Sequence, residues 1–293
     1  MRWKGRKQST NIEDRRGGRS GYSGQRRPGG GMKIGGIGFF IALLIFLFTG
    51  QGQNFMDMMG GDAQMGGSVS QPPSQTGAAS GATDEGKEFI GVVVKDTEDV
   101  WNPIFEKAGS RYREPTVVLF NDQVSSACGL TSSATGPFYC PGDMKVYLDL
   151  GFFRQLSQMG VRGDFAQAYV VAHEVGHHVQ KLQGISDQVM RMQRQTNKTQ
   201  ANQLSVLLEL QADCYAGIWA RRQANYNLLD DGDLEEAMNA AGNIGDDRMQ
   251  KRAGQYVNPD SFTHGSSAQR MEWLKRGMLS GDPTDCDTFA ALR

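Results

Sequence analysis

The sequence predicts an α+β fold: one helix-rich domain with a small β-sheet, preceded by a single N-terminal transmembrane helix. Three observations carry this. Apolar residues recur at spacings of three and four after Gly163, and two short β-branched or alternating runs precede them. One uncharged run, Ile34 to Gly50, stands between segments too rich in glycine to bury a core. The first 88 residues hold 20 of the 38 glycines, so the folded domain is expected to lie beyond them.

Residues 1–33 carry ten Lys+Arg against two Asp+Glu, without apolar periodicity, and read as a disordered basic tail. Residues 34–50, IGGIGFFIALLIFLFTG, are at the short end for a membrane span. No small-residue cleavage site follows them, so the segment is expected to stay as an anchor. The basic flank places the tail in the cytoplasm and the domain across the membrane. Residues 51–86, rich in Gln, Gly, Ser and Met with Pro72 and Pro73, read as a flexible linker. Residues 87–293 are the domain. With 31 Lys+Arg against 32 Asp+Glu the chain has net charge −1, which excludes a wholly basic nucleic-acid binder, and no nucleic-acid partner is expected.

Within the domain, Thr97 to about Lys107 carries a helix signal, with Pro103 among its early residues. Pro115 to Phe120 and Lys145 to Leu150 read as strands. Gly163 to Lys181 is a helix with Phe165, Ala168, Tyr169, Ala172, Val175 and Val179 on one stripe and Gly184 as its stop. The Gln/Arg-rich stretch from Ser186 to Gln203 reads as mobile, and Leu204 to Arg222 as the next helix. Asp233 with Glu236, and Ser266 with Gln269, have capping-box spacing and start two more. The four cysteines lie beyond the anchor, none in a C-x-x-C pair. Two disulfides are expected in an exported domain: Cys128 with Cys140 across a turn-rich loop, and by elimination Cys214 with Cys286.

Three of the four histidines fall in Ala172-His173-Glu174-Val175-Gly176-His177-His178, an H-E-x-x-H motif on a predicted helix. His173 and His177 point roughly 40° apart around the axis, so both imidazoles reach one metal. Glu174 lies roughly 60° beyond His177, able to reach a metal-bound water as general base. Imidazole and carboxylate ligands suit zinc, which lowers the pKa of its water toward about 7 and polarises a carbonyl. Downstream, Glu209 and Asp213 share a helix face; Glu209 completes a His, His, Glu set and Asp213 fixes the tautomer of a ligand histidine.

HEVGH followed by ELQAD resembles the gluzincin pattern of metallopeptidases. More closely, ACG…GPFYCP, VYLDL, AHEVGHHVQ, ELQADC, IGDD and FTHGSS resemble, in that order, the bacterial neutral zinc metallopeptidase family, from about Phe89 to Asp287 and including the basic tail and single anchor. The resemblance implies a zincin-like domain with zinc at His173, His177 and Glu209 and Glu174 as general base, acting on a protein or peptide. It makes the membrane the bacterial inner membrane and the domain periplasmic.

Other residues have two readings each. His178 is a packing residue or a partner behind the ligands; His264 hydrogen-bonds a developing oxyanion or is an ordinary loop histidine. Arg270 holds Asp213 or Asp247. Lys145 to Leu150 is the edge strand along which a substrate extends, or a fully paired inner strand. The function expected is zinc-dependent peptide-bond hydrolysis, with a zinc-stabilised, catalytically silent envelope scaffold as the alternative. Oligomeric state is not legible.

Overall fold

The computed structural model describes residues 1–17 and 84–292. The expected anchor, 34–50, and all but the end of the expected linker lie outside the described residues. Among those described, no helix is long and apolar enough to cross a membrane.

The first strand, β1 (Ile12–Asp14), corrects the expectation of a tail disordered throughout residues 1–33. It pairs in parallel with β2 (Thr116–Leu119), Ile12 opposite Val117 and Asp14 opposite Leu119. Low hydrophobicity and high charge signal disorder only when no partner matches them. Here the domain supplies the partners: Trp3 packs edge-on against Phe89, Ser9 N–H donates to the Gly91 carbonyl, Lys145 pairs with Glu13, and Arg6 grips the buried Asp96. Arg16 pairs with Asp84, so the chain leaves the described body and returns to it at neighbouring points.

Asp84 also caps α1 (Glu85–Lys107), accepting from the Lys87 N–H. This helix begins twelve residues before the sequence signal at Thr97, inside the expected linker's end, because Phe89 to Val94 is buried and offers no polar face to read. Between β2 and the helical half lie a hairpin, β3 (Gln123–Ser126) with β4 (Gly129–Ser132), then β5 (Phe138–Cys140) and β6 (Lys145–Leu148). The main sheet has the order β1-β2-β6-β5, with only β5–β6 antiparallel. Residues 145–148 are therefore the inner strand of the two readings, and β1 and β5 are the edges of the described sheet.

The helices follow: α2 (Gly151–Gln158), α3 (Asp164–Leu182), α4 (Ile185–Gln193), α5 (Lys198–Asn225), α6 (Asp233–Asn243), α7 (Asp246–Arg252) and α8 (Ser267–Ser280). The stretch expected to be mobile is instead α4 and the start of α5, where Val189, Leu204 and Leu208 form a small core of their own. The capping box at Ser266 forms with Gln269, whereas α6 starts after Gly232 in a left-handed conformation, with Asp233 inside its first turn. Both disulfides form as expected, and no cysteine is free.

Two close approaches fix the helical layer. A Cβ on Gly176 of α3 would stand 3.0 Å from the Ala212 carbonyl of α5, and one on Gly277 of α8 would stand 1.9 Å from the Cys214 carbonyl. The first turn of α3 is tied down by Glu236, which accepts the Phe165 N–H, and by Asp164, which with Asp233 takes the Met1 amino group. The helix is thus anchored before its histidines begin.

Burial pushes the Asp96 carboxyl up to about 6, although Arg6 opposes the shift. An acid with a raised folded pKa adds stability below its unfolded value near 3.8, and that contribution is lost as pH rises through about 6. Arg6→Ala is therefore expected to cost about 3 kcal/mol at pH 8 and less at pH 5, where Asp96 takes a proton. Urea denaturation at the two pH values checks this, and equal losses at both would refute it.

Candidate metal centre

The Gly176–Ala212 contact brings one face of α3 against one face of α5. His173 Nε2 lies 3.2 Å from Glu209 Oε2 and His177 Nε2 lies 3.4 Å from Glu209 Oε1. One donor atom from each of the three residues falls within 4.8 Å of the others. His173 and Glu209 are buried and His177 is half-buried.

The donor chemistry fits a zinc ion. Each imidazole turns its Nδ1 to a protein acceptor and its Nε2 to the cluster. His173 Nδ1 lies 2.8 Å from Asp213 Oδ1, and His177 Nδ1 lies 2.9 Å from Gln180 Oε1. Two Nε2 lone pairs and a carboxylate converge, which is the ligand type and number of an open zinc site.

Asp213 is wholly buried and saturated. It accepts from the Tyr169 hydroxyl at 2.5 Å and from Arg270 Nε and Nη2 at 2.8 and 3.0 Å, besides facing His173. Of the two readings for Arg270, the structure takes Asp213; Asp247 instead accepts from Ser267. Burial disfavours the Asp213 carboxylate, but Arg270 and His173 hold its pKa at about 2. Burial likewise disfavours a charge on His173, yet Asp213 and Glu209 raise it to about 10. Burial would raise Glu209, but His177 and His173 hold it well below the usual carboxylate range. A metal at these donors would bind the imidazoles at unprotonated Nε2 and so would replace a proton there.

Glu174 is buried and stands outside the three-donor cluster. Desolvation raises its pKa, the neighbouring His177 and His173 pull it down, Glu209 pushes it up, and the Tyr139 backbone N–H donates to it. Tyr139 is the middle residue of β5, so the candidate base lies against an edge strand of the described sheet. His178 faces away from the metal donors. Its Nδ1 lies 3.1 Å from the Tyr139 hydroxyl and its other nitrogen contacts the Arg113 carbonyl at 2.5 Å, so of its two readings the structure takes the buried, neutral packing residue.

His264 is not among the donors brought together, but it is close enough to Glu209 for each to shift the other. Asp246 fixes it. One Asp246 oxygen accepts the backbone N–H groups of Thr263, His264 and Gly265, and the other stands 3.0 Å from His264 Nδ1. Burial opposes a charge on His264, but Asp246 and Glu209 raise its pKa. Sequence reasoning gave Asp246, Gln180, Tyr169 and Tyr139 no role. Gln180 carried a readable signal, a polar side chain one turn after His177 on a helix that is otherwise buried, while the others depend on tertiary contacts.

A family model described as "Putative neutral zinc metallopeptidase" matches residues 1–289. The chain belongs to this family. Zinc is accordingly its cofactor, and the match includes β1 as well as the helical site. The chain is 46% identical over 292 residues to the uncharacterized protein YpfJ of Escherichia coli (strain K12), covering 99% of each. It is 43% identical over 204 residues to the uncharacterized protein Rv2575 of Mycobacterium tuberculosis (strain H37Rv), covering 66% of this chain and 67% of that one. No solved structure matches it.

Asp213→Asn keeps the shape of the side chain and removes the charge that balances Arg270 and orients His173. Zinc affinity is expected to fall 10- to 100-fold, and stability by about 3 kcal/mol. Chelator competition and denaturant melts measure the two separately; unchanged zinc affinity would remove Asp213 from the metal centre.

Proposed function

We propose that this protein is a membrane-associated zinc endopeptidase with a zincin-like domain, working outside the cytoplasm, in which Glu174 is the general base. The observation that carries the reading is the position of Glu174: buried beside the His173, His177, Glu209 donors, outside their cluster, and against β5, an edge strand of the described sheet. A site that used its metal only for folding has no need of a carboxylate held there.

Zinc held by His173, His177 and Glu209 supplies a Lewis acid and acidifies water at neutral pH. The chain does the rest. An extended peptide adds to the edge of β5, aligning its backbone across the donors. Glu174, its carboxyl raised by burial, takes the proton of the attacking water and passes it to the leaving amine. Asp246 holds His264 Nδ1 and raises its pKa, which favours the imidazolium, whose Nε2–H would donate to the oxygen on which charge develops.

The assay is hydrolysis of a broad quenched-peptide library by the full-length protein, since residues 1–17 are part of the sheet. Glu174→Gln is expected to slow cleavage by about 10²- to 10⁴-fold at matched zinc content. His264→Ala is expected to lower turnover by about 10²- to 10³-fold with zinc content unchanged. One zinc bound by wild type and Glu174→Gln alike, with no cleavage by either, overturns the enzyme reading in favour of a scaffold.

Two disulfides support a site outside the cytoplasm. A strand hydrogen-bonded to β2 shares a compartment with it, so we place residues 1–17 on the same side as the metal centre, revising the expected cytoplasmic tail. With Lys7→Cys and Tyr256→Cys, both at exposed positions, a membrane-impermeant maleimide applied to spheroplasts should label both equally; labelling of position 256 alone would return the N-terminus to the other side.

A further inference from the structure

The two histidines of the motif are oriented by different chemistry. His173 faces a carboxylate that also carries the charge of Arg270. His177 faces a chain of two neutral amides, Gln180 and Gln211, both buried.

That chain has a direction, set at its far end by backbone carbonyls, which can only accept. Gln211 Nε2 donates to the Cys286 carbonyl at 3.0 Å, leaving Gln211 Oε1 to accept from Gln180 Nε2 at 3.1 Å. Gln180 Nε2 spends its second hydrogen on the Leu208 carbonyl at 2.7 Å. Gln180 Oε1 is left facing His177 Nδ1 at 2.9 Å and can only accept. His177 therefore carries its hydrogen on Nδ1 and its lone pair on Nε2, toward Glu209. Turning either amide over would set two carbonyl oxygens, or two N–H groups, against each other inside a dry core.

The Cys286 carbonyl is beside Gln211 because of the Cys214–Cys286 disulfide, which holds the C-terminal segment along α5 one turn after Gln211. Thr288 reinforces this by donating to the Leu207 carbonyl.

We propose that Gln180 and Gln211 are positioning residues for His177, and that closure of the Cys214–Cys286 disulfide sets zinc affinity by holding the carbonyl that orients them. This rests on the reading that His173, His177 and Glu209 hold zinc. A neutral relay orients the imidazole without adding a second buried carboxylate that would need a cation of its own, and it ties the completeness of the metal centre to a covalent link between residues 72 apart in sequence.

The chain has four histidines, so each imidazole can be followed in long-range ¹H–¹⁵N spectra of the zinc-loaded, histidine-labelled, full-length protein. Gln211→Met, which leaves both disulfides intact, is expected to weaken zinc 10- to 100-fold in chelator competition. It should move the His177 nitrogen signals while those of His173, held by Asp213, stay in place. Replacing Cys214 and Cys286 together by Ser should weaken zinc in the same way, with no further loss when Gln211→Met is added. Should the cysteine pair variant fail to fold, Gln211→Met carries the test alone. Wild-type affinity and unmoved His177 signals in Gln211→Met overturn this inference and leave the site standing. A wild type that binds no zinc, or binding that survives His173→Ala, overturns the underlying site instead.

Discussion

Everything at the metal centre depends on how closely α3 and α5 approach. Gly176 lies between the motif histidines and meets the backbone of Ala212, which lies between Glu209 and Asp213, with a Cβ position 3.0 Å from the carbonyl oxygen and 3.1 Å from Cα. A methyl at 176 would require the helices to give by a few tenths of an ångström, and a larger side chain by more, drawing the imidazoles away from Glu209. The contact is repeated on the other side of α5, where Gly217 and Gly277 let α8 come close enough for Arg270 to reach Asp213. Helix α5 is thus clamped between two glycine contacts, and its carboxylates are placed by backbone packing rather than by their own flexible side chains.

Close packing brings charge with it. Glu209, Asp213, Glu174 and Asp246 are all buried around three histidines and one arginine. Each carboxylate has a distinct answer to desolvation. Asp213 has Arg270, Tyr169 and His173; Glu209 has two imidazoles; Asp246 has three backbone N–H groups and His264. Glu174 has the least, one backbone N–H and the field of the histidines, and it is the carboxyl of the motif whose pKa stays raised. A carboxyl left undercompensated beside a metal site is the one suited to exchanging a proton.

The centre was legible in the sequence because its parts obey helical periodicity. His173, Glu174 and His177 sit at fixed offsets on one helix, and Glu209 and Asp213 on another, so spacing alone places them. Both disulfides followed from parity and turn chemistry. What the sequence hid was tertiary or unpatterned. The start of α1 is buried on all sides and shows no amphipathic period. The sheet order, which makes β6 internal and β5 an edge, is set by pairing at long range. Helix α4 is short and mostly polar, and its Val189 has meaning only against Leu204 and Leu208. Residues 1–17 have the composition of a solvated tail, and their order comes from ion pairs with carboxylates about 70 to 230 residues away.

The N-terminal strand also makes the two edges of this small sheet different. A four-stranded sheet has two edges, each a row of unpaired N–H and C=O groups open to another chain. On the far side β1 covers β2, and β1 is lined with charge, Glu13 paired to Arg15 and Lys145 and Asp14 paired to Arg16. On the near side no described strand other than β6 pairs with β5, which is held by Cys128–Cys140 and by the Tyr139 contacts to His178 and Glu174. The edge blunted by charge is the β1 edge, and the other edge of the described sheet, β5, lies against Glu174. In the function proposed, an extended peptide pairing beside β5 would pass Glu174, so that strand pairing and proton transfer would both follow from the position of β5.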